Sequence, residues 1–350
     1  MARTSAMSFP AMLDLDAIRE QINQELEIFF EQKLESLAHS GLEARSMVEN
    51  LREFTLRPGK RIRPIMVLIG YTAATGDVPP REVLRASLCT ELLQSYLLIQ
   101  DDWMDEDAMR RGKPSMHFQL RATFEDRQVA DSVSFLISDL ASSFAEELLV
   151  LAPLPAEARL AALKTYTWMH QQVVCGQFLD VTQHSDVQKI HELKTASYTV
   201  TGPLLLGASL GGGSNELVTT LRKFGNAIGL AFQARDDYIG TFGSHAKSGK
   251  LTNSDLQQKK STILLQLLQD HVRDAEQEEL NRLLSHDALN AQMASRVRDL
   301  MISHRIPEMV ETEIEQLYQE AMDQLDQCIF SGEAKDELRQ LASLLVHREG

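Results

Sequence analysis

Residues 92–114 read LLQSYLLIQDDWMDEDAMRRGKP, an apolar run that ends in a cluster of acids and continues into a basic segment. The segments 81–107 and 215–241 are apolar almost all round, as is typical of buried helices. Buried carboxylates are costly unless they are paired or bind metal. Asp101 and Asp105, four residues apart on a helix, also repel one another unless a cation lies between them. We therefore expect Asp101, Asp102 and Asp105 to line an internal cavity.

A second acidic cluster repeats this pattern. Residues 229–240 read GLAFQARDDYIG, with an apolar helical lead-in before Asp236 and Asp237. Taken alone, the stretch is equally consistent with a helix that is stopped by Gly240. Taken with the first cluster it favours a metal site, because Mg²⁺ takes oxygen ligands, usually one or two carboxylates plus substrate phosphates. The two clusters together predict a cavity that binds a diphosphate through metal ions.

Helical periodicity runs through nearly the whole chain. It follows the predicted N-cap Asp14 and recurs after Pro307. The same signature occupies residues 81–107, 127–150, 156–184, 215–241 and 259–270. Strand-like alternation bounded by turns is absent from the sequence, so no sheet is expected. The sequence predicts one all-α domain over residues 1–350, a single bundle of antiparallel helices around a deep central cavity.

Composition excludes several classes of protein. The net charge of −15 argues against a nucleic-acid partner, which would require a basic surface. Cys89, Cys175 and Cys328 lie far apart and predict neither a disulfide framework nor a zinc site, so a cytoplasmic location is expected. No run approaches the ~18 apolar residues of a membrane span. The N-terminal residues lack the apolar segment of a signal peptide, so no stable membrane insertion is expected.

A basic motif lies at Gly59-Lys60-Arg61-Ile62-Arg63-Pro64. Three cations at a predicted helix start favour an anion site, where backbone N–H groups and basic side chains converge. The alternative, a merely basic helix start, is less plausible in so acidic a chain. Gly176-Gln177 and Lys194-Thr195 are weak signals alone, and His184 and His191 are expected to be exposed.

Taken together, these motifs resemble those of the all-trans (E-type) isoprenyl diphosphate synthases, the polyprenyl synthetase family. The matches run in family order over about residues 50–265: GKRxRP at 59–64, DDxxD with RRGKP at 101–114, GQxxD at 176–180, KT at 194–195, FQxxDD at 232–237 and GKxxxxDLxxxKxT at 249–262. The resemblance implies a helical bundle, usually a homodimer. It also implies a trans-prenyltransferase that joins isopentenyl diphosphate head to tail to dimethylallyl, geranyl or farnesyl diphosphate and releases diphosphate.

The resemblance also implies roles for individual residues. Asp101, Asp105 and Asp236 become Mg²⁺ ligands, with about three ions per active site. Asp102, Asp237 and Lys194 complete the catalytic set. The residues implied to bind substrate are Lys60, Arg63, Gln94, Arg110, Arg111, Gln177, Lys194, Thr195, Phe232, Gln233, Lys250 and Lys260. Of these, Lys60, Arg63 and Arg111 are implied to bind isopentenyl diphosphate, and Arg110, Lys194, Gln233 and Lys250 the allylic diphosphate.

The chain departs from the family pattern at three positions. Gln94 replaces a His that helps to bind isopentenyl diphosphate in many members; because an amide still donates hydrogen bonds, we expect an effect on affinity. Gly240 replaces a third Asp, and we expect tolerance because the first Asp carries most of the ligation. Lys259 stands where a Gly is common and is expected to alter the neighbouring turn.

Product length is implied by the positions five and four before the first Asp, which form the floor for the growing chain in this family. Here they are Tyr96 and Leu97. One aromatic residue at these positions implies geranylgeranyl diphosphate as the preferred product and farnesyl diphosphate as the next. At ~100° per residue, Leu97 lies nearer the Asp101 face than Tyr96 does, so the cavity wall also depends on neighbouring helices.

Two other functions fit part of the sequence. A terpene cyclase also uses DDxxD and Mg²⁺, but it needs no second diphosphate site, and its second metal motif usually has the form NxxxSxxxE. A non-catalytic partner subunit would be expected to lack aspartates or the Arg110-Arg111-Gly112 run, all of which are present. The sequence favours an active synthase over both.

Overall fold

The computed structural model describes residues 14–37, 41–243, 256, 260, 262–286, 288–328, 330 and 332–348. Its elements in chain order are α1 (Leu15–Ser36), α2 (Leu42–Leu56), α3 (Ile62–Thr75), α4 (Arg81–Ser87), α5 (Cys89–Met104), β1 (Met109–Arg110), β2 (Lys113–Pro114), α6 (Met116–Arg121), α7 (Arg127–Val150), α8 (Ala156–Val181), α9 (Val187–Ile190), the π-helix π1 (His191–Thr201), α10 (Gly202–Leu210), α11 (Asn215–Phe242), α12 (Ile263–His271), α13 (Asp274–Leu284), α14 (Ala291–Ser303), α15 (Ile306–Gln327) and α16 (Gly332–Val346). The all-α fold class is confirmed. The expectation of no sheet is wrong at one place, where β1 and β2 form a short antiparallel hairpin.

The chain divides into two compact units. The first unit comprises Met1–His170 and Pro203–Val218, and the second comprises Gln171–Gly202 and Thr219–Gly350. The prediction of one domain over residues 1–350 stays a prediction. In the described part of the chain, no helix has the length and hydropathy that a membrane span requires.

Helix ends follow the capping residues of the sequence. The Asp14 side chain accepts a hydrogen bond from the Ala17 backbone N–H at 2.9 Å, which confirms the predicted N-cap of α1. Pro307 lies in the first turn of α15, where a missing N–H costs nothing. The predicted segment 81–107 is two helices, since α4 ends at Ser87 and α5 begins at Cys89. The segment predicted from residue 259 begins at Ile263, after the N-cap Thr262.

In the first unit, α5 packs along α7 at a surface of small side chains. Ser134, Ser138 and Ala141 of α7 are almost completely buried there. Helices α3 and α10 approach as closely, because a Cβ on Gly70 would lie 2.2 Å from the Leu204 carbonyl oxygen. Small residues at both crossings bring α5, which carries the first acidic motif, into the interior.

In the second unit, α11 carries the second acidic motif. We predicted residues 215–241 to be apolar all round, and this is wrong for the first turns of the helix. Exposed Arg222 and Lys223 alternate there with buried Leu221 and Phe224, as in an amphipathic surface helix. Residues 227–231 are buried as predicted, so the motif follows a buried stretch.

Candidate functional site

The first acidic motif lies at the C-terminal end of α5. Asp101 and Asp102 belong to its last turn, and Asp105 is the C-cap residue. Asp102 is completely buried, whereas the Asp101 side chain is 19% exposed. Arg110 donates from Nε to Asp102 Oδ1 at 2.7 Å and forms a second, short contact through Nη2. Asp102 therefore binds the neighbouring arginine, and Asp101 is the more accessible carboxylate of the pair.

Charge is concentrated around this buried carboxylate. Burial raises the pKa of Asp102 to about 6, against the opposing effect of Arg110, and the charges of Asp101 and Asp107 raise it further. Burial alone would lower the pKa of Arg110, but the hydrogen bond and charge of Asp102 raise it above its usual value. One arginine thus balances several acids at this end of α5.

The basic motif follows α2 and runs into the first turn of α3, which starts at Ile62. The predicted helix start within this motif is therefore confirmed. Its three cations do not share one role. Arg61 is buried, in left-handed conformation (φ 52°), and forms an ion pair with Glu91 at 2.5 Å and a hydrogen bond with Asn23. Lys60 is exposed and Arg63 half-buried. Lys60 and Arg63, rather than Arg61, remain the candidates for binding an anion.

Arg111 lies at the tip of the β1–β2 hairpin. It has φ 53° and is followed by Gly112 at φ 76°, the two positive φ angles of a tight hairpin turn. A Cβ on Gly59 would lie 3.3 Å from the Arg111 guanidinium, which would then have to shift by a few tenths of an ångström. Burial lowers the pKa of Arg111 against the opposing charge of Glu91, and the positive charges of Arg61, Arg63 and Arg110 lower it further. This crowding of cations favours an anionic ligand.

The predicted chain-length residues lie on α5 near His170 of α8. Tyr96 and Leu97 are both half-buried, as is Gln94. The Tyr96 ring packs edge-to-face on the His170 ring with centroids 5.1 Å apart, and the buried Tyr166 ring lies 6.0 Å from His170 on the same helix. Sequence reasoning did not find His170, because a single histidine in a long helical segment carries no signal.

In the second unit, a chain of hydrogen bonds runs from the KT pair to the second acidic motif. Thr195 donates to Gln233 Oε1 at 2.8 Å, and Gln233 donates through Nε2 to Asp237 Oδ1 at 2.7 Å. The other oxygen of the buried Asp237 accepts from the Ile263 backbone N–H at 3.1 Å. His191 Nε2 lies 3.4 Å from the same oxygen. Asp237 is thus held by the Gln233 amide and the Ile263 backbone N–H, with the His191 ring beside it.

His191 corrects one sequence prediction. We expected it to be exposed, but it is buried beside Asp237. His184 is exposed as expected. His191 opens the π-helix and so faces inward, a position that α-helical periodicity could not predict.

The KT pair lies on π1, an unusual local structure that often marks functional sites. Three glycines allow neighbouring helices to approach its backbone. A Cβ would lie 2.3 Å from the Lys194 backbone nitrogen if placed on Gly176, 2.5 Å from Ala196 if placed on Gly229, and 2.8 Å from Thr201 Cα if placed on Gly225. The Lys194 ammonium contacts Asp180 at 2.5 Å. The Gly and Asp of the GQxxD motif therefore serve to place Lys194.

Asp236 is the accessible member of the second acidic pair, with 43% of its side chain exposed. Its carboxylate forms a short contact with Arg348, whose guanidinium lies 4.3 Å from the centre of the Phe232 ring. Arg235 fixes the end of α16 by donating to the Val346 carbonyl oxygen at 2.8 Å and by pairing with Glu311 of α15. Sequence reasoning missed Arg348, because no motif links positions that are 112 residues apart.

The remaining predicted residues have less defined surroundings. Gln177 is half-buried on α8, and Lys260 is half-buried before α12. Lys250 lies outside the described residues. Within the described residues, no group of three or more His, Cys, Asp or Glu side chains is arranged to hold a metal ion by itself. An Mg²⁺ site with one or two carboxylates and substrate phosphates needs no such group.

Comparison with known proteins gives the family. The family model for polyprenyl synthetases matches residues 45–302. A geranylfarnesyl diphosphate synthase of Natronomonas pharaonis is 30% identical over 312 residues, 83% of this chain and 86% of that protein. A farnesyl diphosphate synthase of Haemophilus influenzae is 31% identical over 267 residues, 71% of this chain and 82% of that protein.

A solved structure agrees with these relatives. The geranylgeranyl pyrophosphate synthase from Corynebacterium glutamicum, complexed with isoprenyl diphosphate and magnesium, has a TM-score of 0.89 and 32% identity to this chain, covering 96% of this chain and 100% of that one. The family match covers both acidic motifs, the basic motif and the KT pair. The chain therefore belongs to the polyprenyl synthetase family and is a trans-prenyltransferase, an enzyme of prenyl chain elongation.

Proposed function

We propose that the chain condenses isopentenyl diphosphate head to tail with an allylic diphosphate, with geranylgeranyl diphosphate as its main product and farnesyl diphosphate as the next. One observation carries the site assignment above all others. In each acidic pair the second aspartate is buried and hydrogen-bonded, and the first is left accessible. This arrangement presents one carboxylate and rigidly supports it, as metal sites require.

Mg²⁺ is the proposed cofactor, with about three ions per active site. Asp101, Asp105 and Asp236 would be its ligands. The donor chemistry fits, because these carboxylates are not fully buried, and because the Asp236 carboxylate already accepts a cationic guanidinium. When bound, the ions neutralise the charge that develops on the departing diphosphate.

The basic side chains are proposed to bind the two diphosphates. Lys60, Arg63 and Arg111 would hold isopentenyl diphosphate, with Gln94 adding a hydrogen bond. Arg110, Lys194, Gln233 and Lys250 would hold the allylic diphosphate, with Lys260 near it. Gln177, Thr195 and Phe232 are proposed as further substrate-binding residues. Arginine suits this task because its planar fork matches phosphate oxygens.

The chain's contribution to the rate is then placement and electrostatics. The cations fix both diphosphates, so that the double bond of isopentenyl diphosphate is held against the reacting carbon of the allylic partner. Apolar side chains exclude water, which would otherwise capture the allylic cation. No protein nucleophile is required. The proton lost after bond formation passes to the departing diphosphate, which the same cations hold nearby.

Product length is proposed to depend on α5 and α8. Tyr96 packs against His170, so the two rings form one wall rather than a single protruding side chain. Leu97 continues this wall on α5. We also propose a homodimer; a cytoplasmic location stays a prediction.

The proposed function is tested by incubating the protein with Mg²⁺, isopentenyl diphosphate and each of the three allylic primers, followed by mass analysis of the dephosphorylated products. We expect chain elongation that ends mainly at the geranylgeranyl product. Cyclic hydrocarbon products would instead indicate a cyclase. No turnover with any primer would indicate a non-catalytic subunit and would overturn the proposal.

A further inference from the structure

Arg57, just before the basic motif, makes an unusually complete set of contacts. It is the C-cap residue of α2 and is only 2% exposed. Its Nε and Nη2 bind Glu53, Nη2 also donates to Gln119, and Nη1 donates to the backbone carbonyl oxygens of Pro114 at 2.8 Å and Arg110 at 3.2 Å. Every N–H-bearing nitrogen of this buried guanidinium therefore has an acceptor.

The two carbonyl oxygens belong to opposite strands of the β1–β2 hairpin. Arg110 ends β1 and Pro114 ends β2, and between them lies the turn that carries Arg111. A hairpin this short is not stable by itself. A single guanidinium that bridges both strands therefore fixes the place and direction of the turn.

The backbone carbonyl group of Arg57 contacts two cationic side chains as well. Its carbonyl oxygen accepts from Arg111 Nη1 at 3.3 Å and from Arg61 Nη2 at 3.2 Å. Arg57 therefore fixes Arg111 in two ways: its side chain holds the backbone of the hairpin, and its carbonyl oxygen accepts a hydrogen bond from the Arg111 side chain. Arg61 is anchored in turn to Glu91, so this framework continues into the basic motif.

Charge also favours a positioning role. Arg57 shares Glu53 with Lys113, and the hydrogen bonds and charges of both cations, acting against burial, keep the pKa of Glu53 below its usual value. The Arg57 charge is therefore locally neutralised. Arg57 cannot bind a phosphate without giving up Glu53, whereas Arg111 lies among like charges that an anion would relieve.

We propose that Arg57 is a positioning residue for the diphosphate of isopentenyl diphosphate, and that it acts through Arg111. The inference rests on the proposed function, because it assigns the bound anion to that substrate. Arg57 does not touch the substrate. It holds the hairpin so that Arg111 is already in place before the diphosphate arrives, and no ordering of the turn is then needed on binding.

The test compares Arg57→Lys with Arg52→Lys. Lysine keeps the charge, but a point charge cannot span Glu53 and two carbonyl oxygens. Arg52 lies on the same helix and pairs with Glu27 at a more exposed position, so it is the matched control. For Arg57→Lys we expect the KM for isopentenyl diphosphate to rise by about tenfold or more, with the KM for the allylic primer nearly unchanged. Arg52→Lys should match the parent protein.

A double-mutant cycle with Arg111→Gln separates positioning from general loosening of the fold. If Arg57 acts through Arg111, Arg57→Lys has little further effect on this KM once Arg111 is replaced. Additive effects, or an unchanged KM in the single variant, would overturn the inference. If Arg57→Lys does not fold, Glu53→Gln is a milder variant for the same test. We again expect a rise in the KM for isopentenyl diphosphate alone. An equal rise in the KM for both substrates would overturn the inference. Absence of elongation by the parent protein would be a failure of the proposed function instead.

Discussion

The two acidic motifs share a layout but differ in how the buried aspartate is stabilised. Asp102 binds one charged partner, Arg110, and its Oδ2 atom has no hydrogen-bond partner. Asp237 accepts from the neutral donors Gln233 and Ile263 on both oxygens. The first motif is thus a local balance of charges, and the second is a network of neutral hydrogen bonds. The comparison teaches that one chemical task, supporting an accessible carboxylate, has two physical solutions in this chain.

The largest loss of activity is expected when the accessible carboxylate of either motif is removed. We expect Asp101→Asn and Asp236→Asn each to lower kcat by about a thousandfold, equivalent to ~4 kcal/mol of transition-state stabilisation lost at a metal site. Steady-state kinetics with labelled isopentenyl diphosphate measures the loss. Asp77→Asn, at an exposed position outside both motifs, is the control. Full activity in either motif variant would exclude that motif from the reaction.

Replacing the buried aspartates tests the difference between the motifs directly. Asp102→Asn removes the buried carboxylate that Arg110 contacts most closely, and it should reduce the free energy of unfolding by about 3 kcal/mol. Asp237→Asn disturbs neutral hydrogen bonds and should cost about 1–2 kcal/mol. Urea denaturation of the two variants compares them. Equal losses would show that the charged and neutral arrangements are equivalent.

Gly176→Ala tests the second motif by itself, because Gly176 packs against the segment that carries Lys194 and Thr195. The new Cβ would lie 2.3 Å from the Lys194 nitrogen, so π1 must move. We expect a loss of about 1–3 kcal/mol in stability and a higher KM for the allylic primer. Gly332→Ala is the control, since its Cβ would meet no atom within 4 Å. A stable variant with unchanged kinetics would mean that the position of Lys194 is not critical.

Product length is expected to be a property of the first unit. Tyr96→Ala and His170→Ala should each shift the products towards longer chains, because each removes one ring of an edge-to-face pair. His170→Phe keeps a ring and should retain the parent distribution. Chromatography of dephosphorylated products reads the result. An unchanged distribution in Tyr96→Ala would remove this residue from the floor.

The smallest effect is expected at the end of the second unit. Arg348→Gln removes the guanidinium that pairs with Asp236, so binding of Mg²⁺ with pyrophosphate should tighten by about threefold, the size of a surface ion pair. Isothermal titration calorimetry measures this affinity without turnover. Arg339→Gln, which removes an exposed ion pair on α16, the helix that ends just before Arg348, is the control. Weaker binding would show instead that Arg348 helps to bind the anion.

The helices and the motif positions could be predicted because each depends on neighbours close in sequence. Asp14 caps a helix through a residue three positions away. The apolar stretches before Asp101 and Asp236 also follow from local periodicity, and both buried second aspartates match the expected interior location.

The missed features depend on contacts between distant residues or on a different helical period. Arg57 contacts Pro114 from 57 positions away, and its own neighbours only suggest a helix end before a proline. The π-helix lies against Gly176, Gly225 and Gly229, which come from two other parts of the sequence. The three glycines are visible in the sequence, but only the three-dimensional packing shows that they face the same segment.

The π-helix also constrains how this sequence can change in length. A wider turn accommodates more residues per revolution than an α-helix, so deletion of a single amino acid between positions 191 and 201 would allow the ordinary helix to form. Turns of 3.6 residues would then replace the wider turns, so different side chains of this segment would share a face. Lys194 and His191 could no longer meet Asp180 and Asp237 together, so insertions and deletions in this segment should be far less tolerated than substitutions.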